Sequence, residues 1–333
     1  MTDRITRRDA FLAASGWGDA DSRPLAGDAS FRRYDRLHKG DKTAVLMDAP
    51  PPQEDVRPFV SIAKFLLEMG LSAPQIFAQD DEAGFLLLED FGDSTFTRCL
   101  AEASVNENTL YAAATETLVD FQMKGMAAPV PDGLRAYDPD MLMNEALLLP
   151  DWFLPAMRGT GPTDAERADY IKAWDMPFEM MKYRGKVVVL RDFHVDNLVW
   201  LPDRAGPART GLLDFQDAVA GHPAYDLMSL VEDARRDVSE SIHAQCLNQF
   251  FETHRHVKGA DFDAAFATLA AGRHAKIIGI FTRLNARDGK PQYLDHIPRC
   301  WRLLERHLDH PTLKSVKAWF DNVIPTNHRV RPQ

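Results

Sequence analysis

The spacing of the apolar residues changes once along the chain, near residue 92, and that change restricts the fold more than any other feature. Before it lie short extended segments separated by turns. Leu25 to Leu37 and Thr43 to Met47 flank His38-Lys-Gly-Asp, and Pro74 to Ala78 and Phe85 to Glu89 flank Asp80-Asp-Glu-Ala-Gly. Two helices interrupt them. Residues 5–15 are amphipathic and stop at Gly16, and Phe59, Ile62, Ala63, Leu66 and Met69 recur at helical spacing until Gly70. Beyond residue 95 the pattern is helical over 107–123, 139–149, 163–181, 225–234, 239–254, 261–285 and 298–308. Three short apolar strands lie among these helices: Val187 to Leu190, Leu198 to Leu201 and Gly211 to Asp214. Strands first and helices afterwards specify an α+β fold. With 333 residues the chain exceeds the usual size of one core, so we expect a small β-rich unit over 1–92 and a larger helical unit over 93–333. Pro202 to Arg209 is expected to be an exposed hairpin loop.

Several classes of function are excluded early. No apolar run approaches the roughly 18 to 20 residues that cross a bilayer, and Ala10 to Ala14 is too brief for a secretory core. Cys99, Cys246 and Cys300 are odd in number and far apart, which suits packing residues in a reducing compartment; a cytoplasmic location is expected. Residues 254–333 carry 14 basic and 7 acidic side chains within a chain of net charge −10. At pI 5.6 a broad nucleic-acid surface is disfavoured. The basic segment is expected either to form solvated helix faces paired with the acidic remainder or to meet a partner.

The segment with the most chemical content is Leu190-Arg-Asp-Phe-His-Val-Asp-Asn-Leu-Val-Trp-Leu, followed by Leu213-Asp-Phe-Gln-Asp. Phosphoryl transfer requires a carboxylate that orients a hydroxyl and hard oxygen ligands that hold Mg2+ on a polyphosphate. Asp192, Asn197 and Asp214 supply such oxygens from loops between apolar strands. By itself Asp-x-x-x-x-Asn is a weak motif; its placement together with Asp214 strengthens it.

This pattern resembles that of the aminoglycoside phosphotransferase and choline kinase superfamily, whose fold is similar to that of protein kinases. The resemblance implies a small N-terminal lobe, a larger catalytic lobe, ATP and Mg2+. It implies that Asp192 is the catalytic carboxylate and that Asn197 and Asp214 are metal ligands. The usual family motif reads H-G-D-x-H-x-x-N; here Leu190 and Arg191 replace its first two residues and His194 is kept. Gly221-His-Pro-Ala-Tyr-Asp resembles a family segment whose acid braces the catalytic loop, a role that falls to Asp226, while His194 is expected to stabilise the same loop. Asp217 either touches substrate or caps a turn.

Gly27-Asp-Ala-Ser-Phe (Gly27, Asp28, Ala29, Ser30 and Phe31), with Ala44-Val-Leu-Met-Asp and Leu87-Leu-Glu-Asp-Phe-Gly, resembles the bacterial branch of N-acetylmuramate/N-acetylglucosamine anomeric kinases. The first segment is expected to cover the phosphates. The backbone from Glu89 to Phe91 is expected to meet the adenine edge. One position departs from the superfamily: Met47 stands where a phosphate-anchoring Lys is usual. Arg32, Arg33 and Lys42 are candidates to replace its charge, and Glu54, Asp55 and Glu68 are candidates for the helix acid that would pair with it. Arg283, Arg287 and Arg302 are candidates for the sugar pocket, because guanidinium suits a carboxylate or amide oxygen whereas a cationic antibiotic would require acids. The expected substrate is a small molecule, an amino sugar. Aminoglycoside, choline or homoserine-type kinases share the machinery, and a nucleotide-binding scaffold without turnover is the alternative from another class.

Overall fold

The computed structural model describes every residue except Met1, 26–30, 128–129, 132, 183–185 and 333. The chain forms two compact units, one of residues 1–124 and 195–218, the other of 125–194 and 219–333.

The first unit is organised by a five-stranded antiparallel sheet in the order β1-β2-β3-β5-β4, with β1 Asp21–Pro24, β2 Arg33–Lys39, β3 Lys42–Asp48, β4 Ile76–Asp80 and β5 Phe85–Leu88. Because side chains alternate along a strand, the sheet has two distinct faces. Leu37, Ala44, Leu46, Phe85 and Leu87 form one core with Phe11 and Leu12 of the helix α1, Thr2–Ala14. Val45 and Leu88, paired across β3 and β5, face the other way and line a cavity. That two-sided burial explains why β5 is an unbroken apolar run. Gly84 has φ +72°, and a Cβ there would stand 2.1 Å from the Ala49 carbonyl oxygen. Only glycine permits this approach.

The helices α2, Arg57–Glu68, α3, Phe96–Ala101, and most of α4, Glu107–Ala127, belong to the same unit. So does the hairpin of β7, Leu198–Trp200, and β8, Thr210–Leu212. Bridges from Ser72 to Gly211 and from Thr95 to Val199 tie this hairpin to the earlier part of the chain. They hold residues 195–218 in the first unit. The 202–209 loop differs from expectation: it is partly buried, since Thr117 Oγ1 donates to the Pro207 carbonyl (2.8 Å), Ser72 Oγ donates to that of Ala208 (2.5 Å), and Arg204 pairs with Glu89.

In the second unit β6, Val187–Val189, pairs with β9, Val219–Gly221. Around them lie α5 Pro139–Ala146, α6 Leu154–Arg158, α7 Asp164–Glu179, α8 Ala224–Val231, α9 Glu240–Thr253, α10 Ala260–Asp288, α11 Ile297–Leu308 and α12 Lys314–Val323. The central helix is α10. Ala265, Ala270, Ala271, Gly272, Ala275 and Gly279 give it a slim surface against which neighbours approach closely. The helix expected over 139–149 stops at Ala146 and continues as a π-helical turn, Leu149–Phe153. The expected first strand begins at Arg33 among the described residues. No described helix is long and apolar enough to cross a membrane.

Candidate functional site

Asn197 and Asp214 are brought together by the β7-β8 hairpin. Asn197 immediately precedes β7 and Asp214 follows β8 by one residue, so an antiparallel register returns them to the same end. The Leu213 N–H donates to the Asn197 carbonyl at 3.0 Å, which closes that end. Asp214 takes φ +57°, an uncommon value for a residue with a side chain. Its Oδ1 accepts from Gln216 Nε2 (2.8 Å) and from Arg32 Nη2 (3.4 Å).

Both side chains line a cavity of about 310 Å3 whose walls include Leu25, Val45, Phe59, Leu88, Phe91 and Leu213. An apolar slot with two hard oxygen donors at its edge matches the needs of a purine nucleotide carrying a metal-bound polyphosphate. Among the described residues no group of three or more His, Cys, Asp or Glu could hold a metal ion. One amide oxygen and one carboxylate still fit Mg2+, which takes few protein ligands and completes its shell with water and phosphate oxygens.

Glu89 and Phe91 line the same cavity. The Glu89 N–H donates to the Gln75 carbonyl at 2.8 Å, and the Glu89 carboxylate meets Arg204 and the Gln75 N–H. Asp90, which sequence reasoning did not single out, anchors this turn by accepting from the Gly92 N–H and pairing with Arg36. Gly27, Asp28, Ala29 and Ser30 lie outside the described residues. Phe31 is exposed, and its N–H donates to Glu54 Oε1 at 3.1 Å.

Met47 is buried within the sheet. Of the basic candidates, Arg32 lies beside Asp214: its guanidinium is within 3.4 Å of Asp214 and 3.9 Å of Glu54. Arg33 and Lys42 are exposed strand residues. Glu54 is therefore the acid adjacent to the cation, although it precedes α2.

Asp192 lies in the second unit, in the turn after β6. The preceding residue, Arg191, has φ +70° and is locked from several sides. Asp226 accepts the N–H groups of Leu190 (2.7 Å) and Arg191 (2.9 Å), and the Arg191 side chain pairs with Glu145. Lys276 reaches the same glutamate at 3.0 Å. Arg273 Nη2 stands 3.6 Å from Asp192 Oδ1 and donates to Ser229 Oγ (2.7 Å). Burial opposes the Asp192 charge, but the cations Lys276, Arg273 and Arg191 outweigh it and hold this carboxyl below its ordinary range. The carboxylate thus remains ionised and able to accept a proton. Asp226 is fully buried, and desolvation pushes it up to about 7 despite the two N–H donors. His194 is buried, which lowers its pKa against the pull of Asp233 and favours the neutral ring.

The remaining candidates are dispersed. Asp217 is exposed, with Gln216 Nε2 at 3.5 Å. Arg287 is exposed and pairs with Asp288; Arg302 is exposed and pairs with Asp237. Arg283 is half-buried, and its Nε has no hydrogen-bond partner among the described residues. The residues missed by sequence reasoning are Glu145, Arg273 and Lys276. The sequence held no local signal for them, because their position beside Asp192 depends on how α5 and α10 pack.

Residues 21–265 match the model of the phosphotransferase enzyme family. An N-acetylmuramate/N-acetylglucosamine kinase of Caulobacter vibrioides is 37% identical, over 98% of this chain and 99% of that protein. Another, from Pseudomonas aeruginosa, is 38% identical over 88% of this chain and 86% of that one. A solved choline/ethanolamine kinase family protein from Mesorhizobium loti, 13% identical, superposes with a TM-score of 0.62 over 95% of this chain and 98% of its own, a likeness in fold. The fold is protein-kinase-like, with an antiparallel sheet towards the N-terminus and helices towards the C-terminus. With the family model covering well over half of its length, this chain belongs to the phosphotransferase enzyme family.

Proposed function

We propose that this chain is an ATP- and Mg2+-dependent kinase that phosphorylates the anomeric hydroxyl of N-acetylmuramate and N-acetylglucosamine in the cytoplasm, returning cell-wall sugars to use. The observation that carries the reading is the pairing of Asn197 with Asp214 at the edge of an apolar cavity, in a chain whose curated relatives with this printed activity match it over most of its length. The three buried free cysteines agree with a reducing compartment.

In this reading Asp192 orients the sugar hydroxyl and accepts its proton while the hydroxyl oxygen bonds to the γ-phosphorus. The bond from that phosphorus to the β-γ bridging oxygen breaks, and ADP leaves. Asn197 and Asp214 hold the cation, whose contribution when bound is to draw charge from the phosphate oxygens. Arg32 takes the phosphate-anchoring role for which Met47 is unsuited, with Glu54 fixing its direction. The segment from Gly27 through Asp28, Ala29 and Ser30 to Phe31 covers the phosphates, and the turn from Glu89 to Phe91 seats the base. Asp226 and His194 keep the loop bearing Asp192 in place. Asp217, Arg283, Arg287 and Arg302 are the candidates to contact the acceptor. Catalysis in this scheme is positioning and charge stabilisation.

The test is a coupled assay of ATP consumption with the two amino sugars, an aminoglycoside and choline as acceptors, run on the parent and on Asp192→Ala. Turnover of the amino sugars that disappears in the variant is expected. Turnover of cationic acceptors alone, or a variant as fast as the parent, would refute the reading.

A further inference from the structure

The residues that follow α8, Glu232-Asp-Ala-Arg-Arg-Asp, form a short loop before α9 that the mechanism above does not use. This loop is fastened from α11. Arg299 donates to the Ala234 carbonyl (3.4 Å) and to Asp237 (3.0 Å), and Arg302 reaches the same carboxylate (3.0 Å). Asp233 is 3% exposed, and its Oδ1 accepts the backbone N–H of Arg235 at 2.7 Å, which fixes the turn and sends the Arg235 side chain outward. The Arg235 guanidinium is exposed. One nitrogen lies 3.4 Å from His194 Nε2, and its carbon lies 5.8 Å from the centre of the Phe281 ring. His194 is two residues beyond Asp192, and its N–H donates to the Asp192 carbonyl at 3.2 Å. Arg235 is thereby held against His194, two residues along the chain from Asp192.

The floor beneath is polar and incompletely satisfied. His194 Nδ1, Asp233 Oδ2 and Arg273 Nε are buried and lack hydrogen-bond partners among the described residues. Buried polar atoms without partners are uncommon, and ordered water or a polar ligand would satisfy these three. Arg235 can only donate, so His194 Nε2 accepts and Nδ1 carries the proton. The surroundings of Asp192 thus offer a neutral donor, a buried acceptor and, outermost, a planar cation.

We propose that Arg235 selects for a carboxylate on the acceptor sugar, binding the ether-linked lactate that distinguishes N-acetylmuramate from N-acetylglucosamine, and that Asp233 positions it. This inference rests on the kinase reading and deepens it. A guanidinium pairs with a carboxylate through two parallel hydrogen bonds, and its fixed plane suits a ligand entering over an exposed rim. Asp233 acts through the backbone of Arg235; its own carboxylate is too buried to meet the sugar.

The experiment compares kcat/KM for the two sugars in the parent, Arg235→Gln, Arg235→Lys and Asp233→Ala, each first checked for a parent-like thermal unfolding profile. Arg235→Gln should lower the ratio of N-acetylmuramate to N-acetylglucosamine efficiency about 10- to 100-fold, mainly through KM, as expected for one charge-assisted contact. Arg235→Lys should restore part of the preference, and Asp233→Ala, which removes the acceptor of the Arg235 N–H, should shift the ratio in the same direction as Arg235→Gln. Equal losses with both sugars, or a ratio within about 2-fold of the parent, would overturn the assignment. A parent that turns over neither sugar sinks the kinase reading and this inference together. A parent that turns over both, with a ratio indifferent to residue 235, sinks this inference alone.

Discussion

Two side-chain-bearing residues of the motif, Arg191 and Asp214, adopt the left-handed backbone region that ordinarily selects glycine. Such a conformation costs about 1 to 2 kcal/mol and persists where neighbours over-determine it. For Arg191 the neighbours are Asp226, which takes two consecutive N–H groups, and Glu145, which takes the guanidinium. The turn that results presents Asp192 beside Arg273. Replacing Asp192 by Ala is expected to reduce kcat about 10²- to 10⁴-fold with little change in the KM for ATP, measured by steady-state kinetics. Arg32→Ala should act in the opposite sense. Removing the cation at Asp214 should raise the KM for ATP about 10-fold or more at a smaller cost in kcat.

At the level of elements, α10 decides the surroundings of Asp192. Arg273, His274 and Lys276 lie within one turn and reach Asp192, Glu232 and Glu145 respectively. The arginines of this helix that the sequence singles out, Arg283 and Arg287, stand about 15 and 21 Å beyond Arg273 along the axis at the helical rise. Composition identified residues 254–333 as basic; it could not say which turn of α10 meets the loop after β6. The close approach of α10 to its neighbour is made at Gly279, where a Cβ would stand 2.3 Å from the Leu148 carbonyl carbon and oxygen. Gly279→Ala should therefore destabilise the protein by several kcal/mol, about 3 or more, visible as a marked fall in Tm. Gly125 in α4 provides the contrast. A Cβ there meets nothing within 4 Å, so Gly125→Ala should raise stability by about 0.5 to 1 kcal/mol.

Across the whole molecule, the basic final segment is largely absorbed by ion pairs. Arg299 and Arg302 meet Asp237, Arg329 meets Glu305 and Asp321, and Arg331 meets Asp295. Global stability depends more on Glu232, a buried carboxylate that accepts hydrogen bonds from His274 and His307, each at 2.8 Å. Burial alone would raise its pKa, but the two imidazoles hold it far below the ordinary 4.5. Its contribution is complete above about pH 4.5 and disappears as the pH falls through the depressed value. Glu232→Gln should thus cost about 3 kcal/mol near neutrality, and in urea unfolding the gap to the parent should narrow as the pH drops below 4.5. The buried His274, whose pKa burial lowers, adds to acid sensitivity from about pH 6.5 downward because the unfolded chain takes up that proton first. The residues alone revealed the α+β order and most helices, and they singled out Asp192, Asn197 and Asp214, because periodicity and motif spacing are local properties of the chain. They did not reveal the short strand β9, the π-helical turn at Leu149 or the half-buried 202–209 loop, whose states depend on partners far along the sequence. Nor did they reveal Glu145, Arg273 or Lys276, or that Arg32 meets Asp214. A side chain's charge is written in its identity, whereas its neighbours are set by packing between distant segments, and pKa, direction and reach follow from those neighbours.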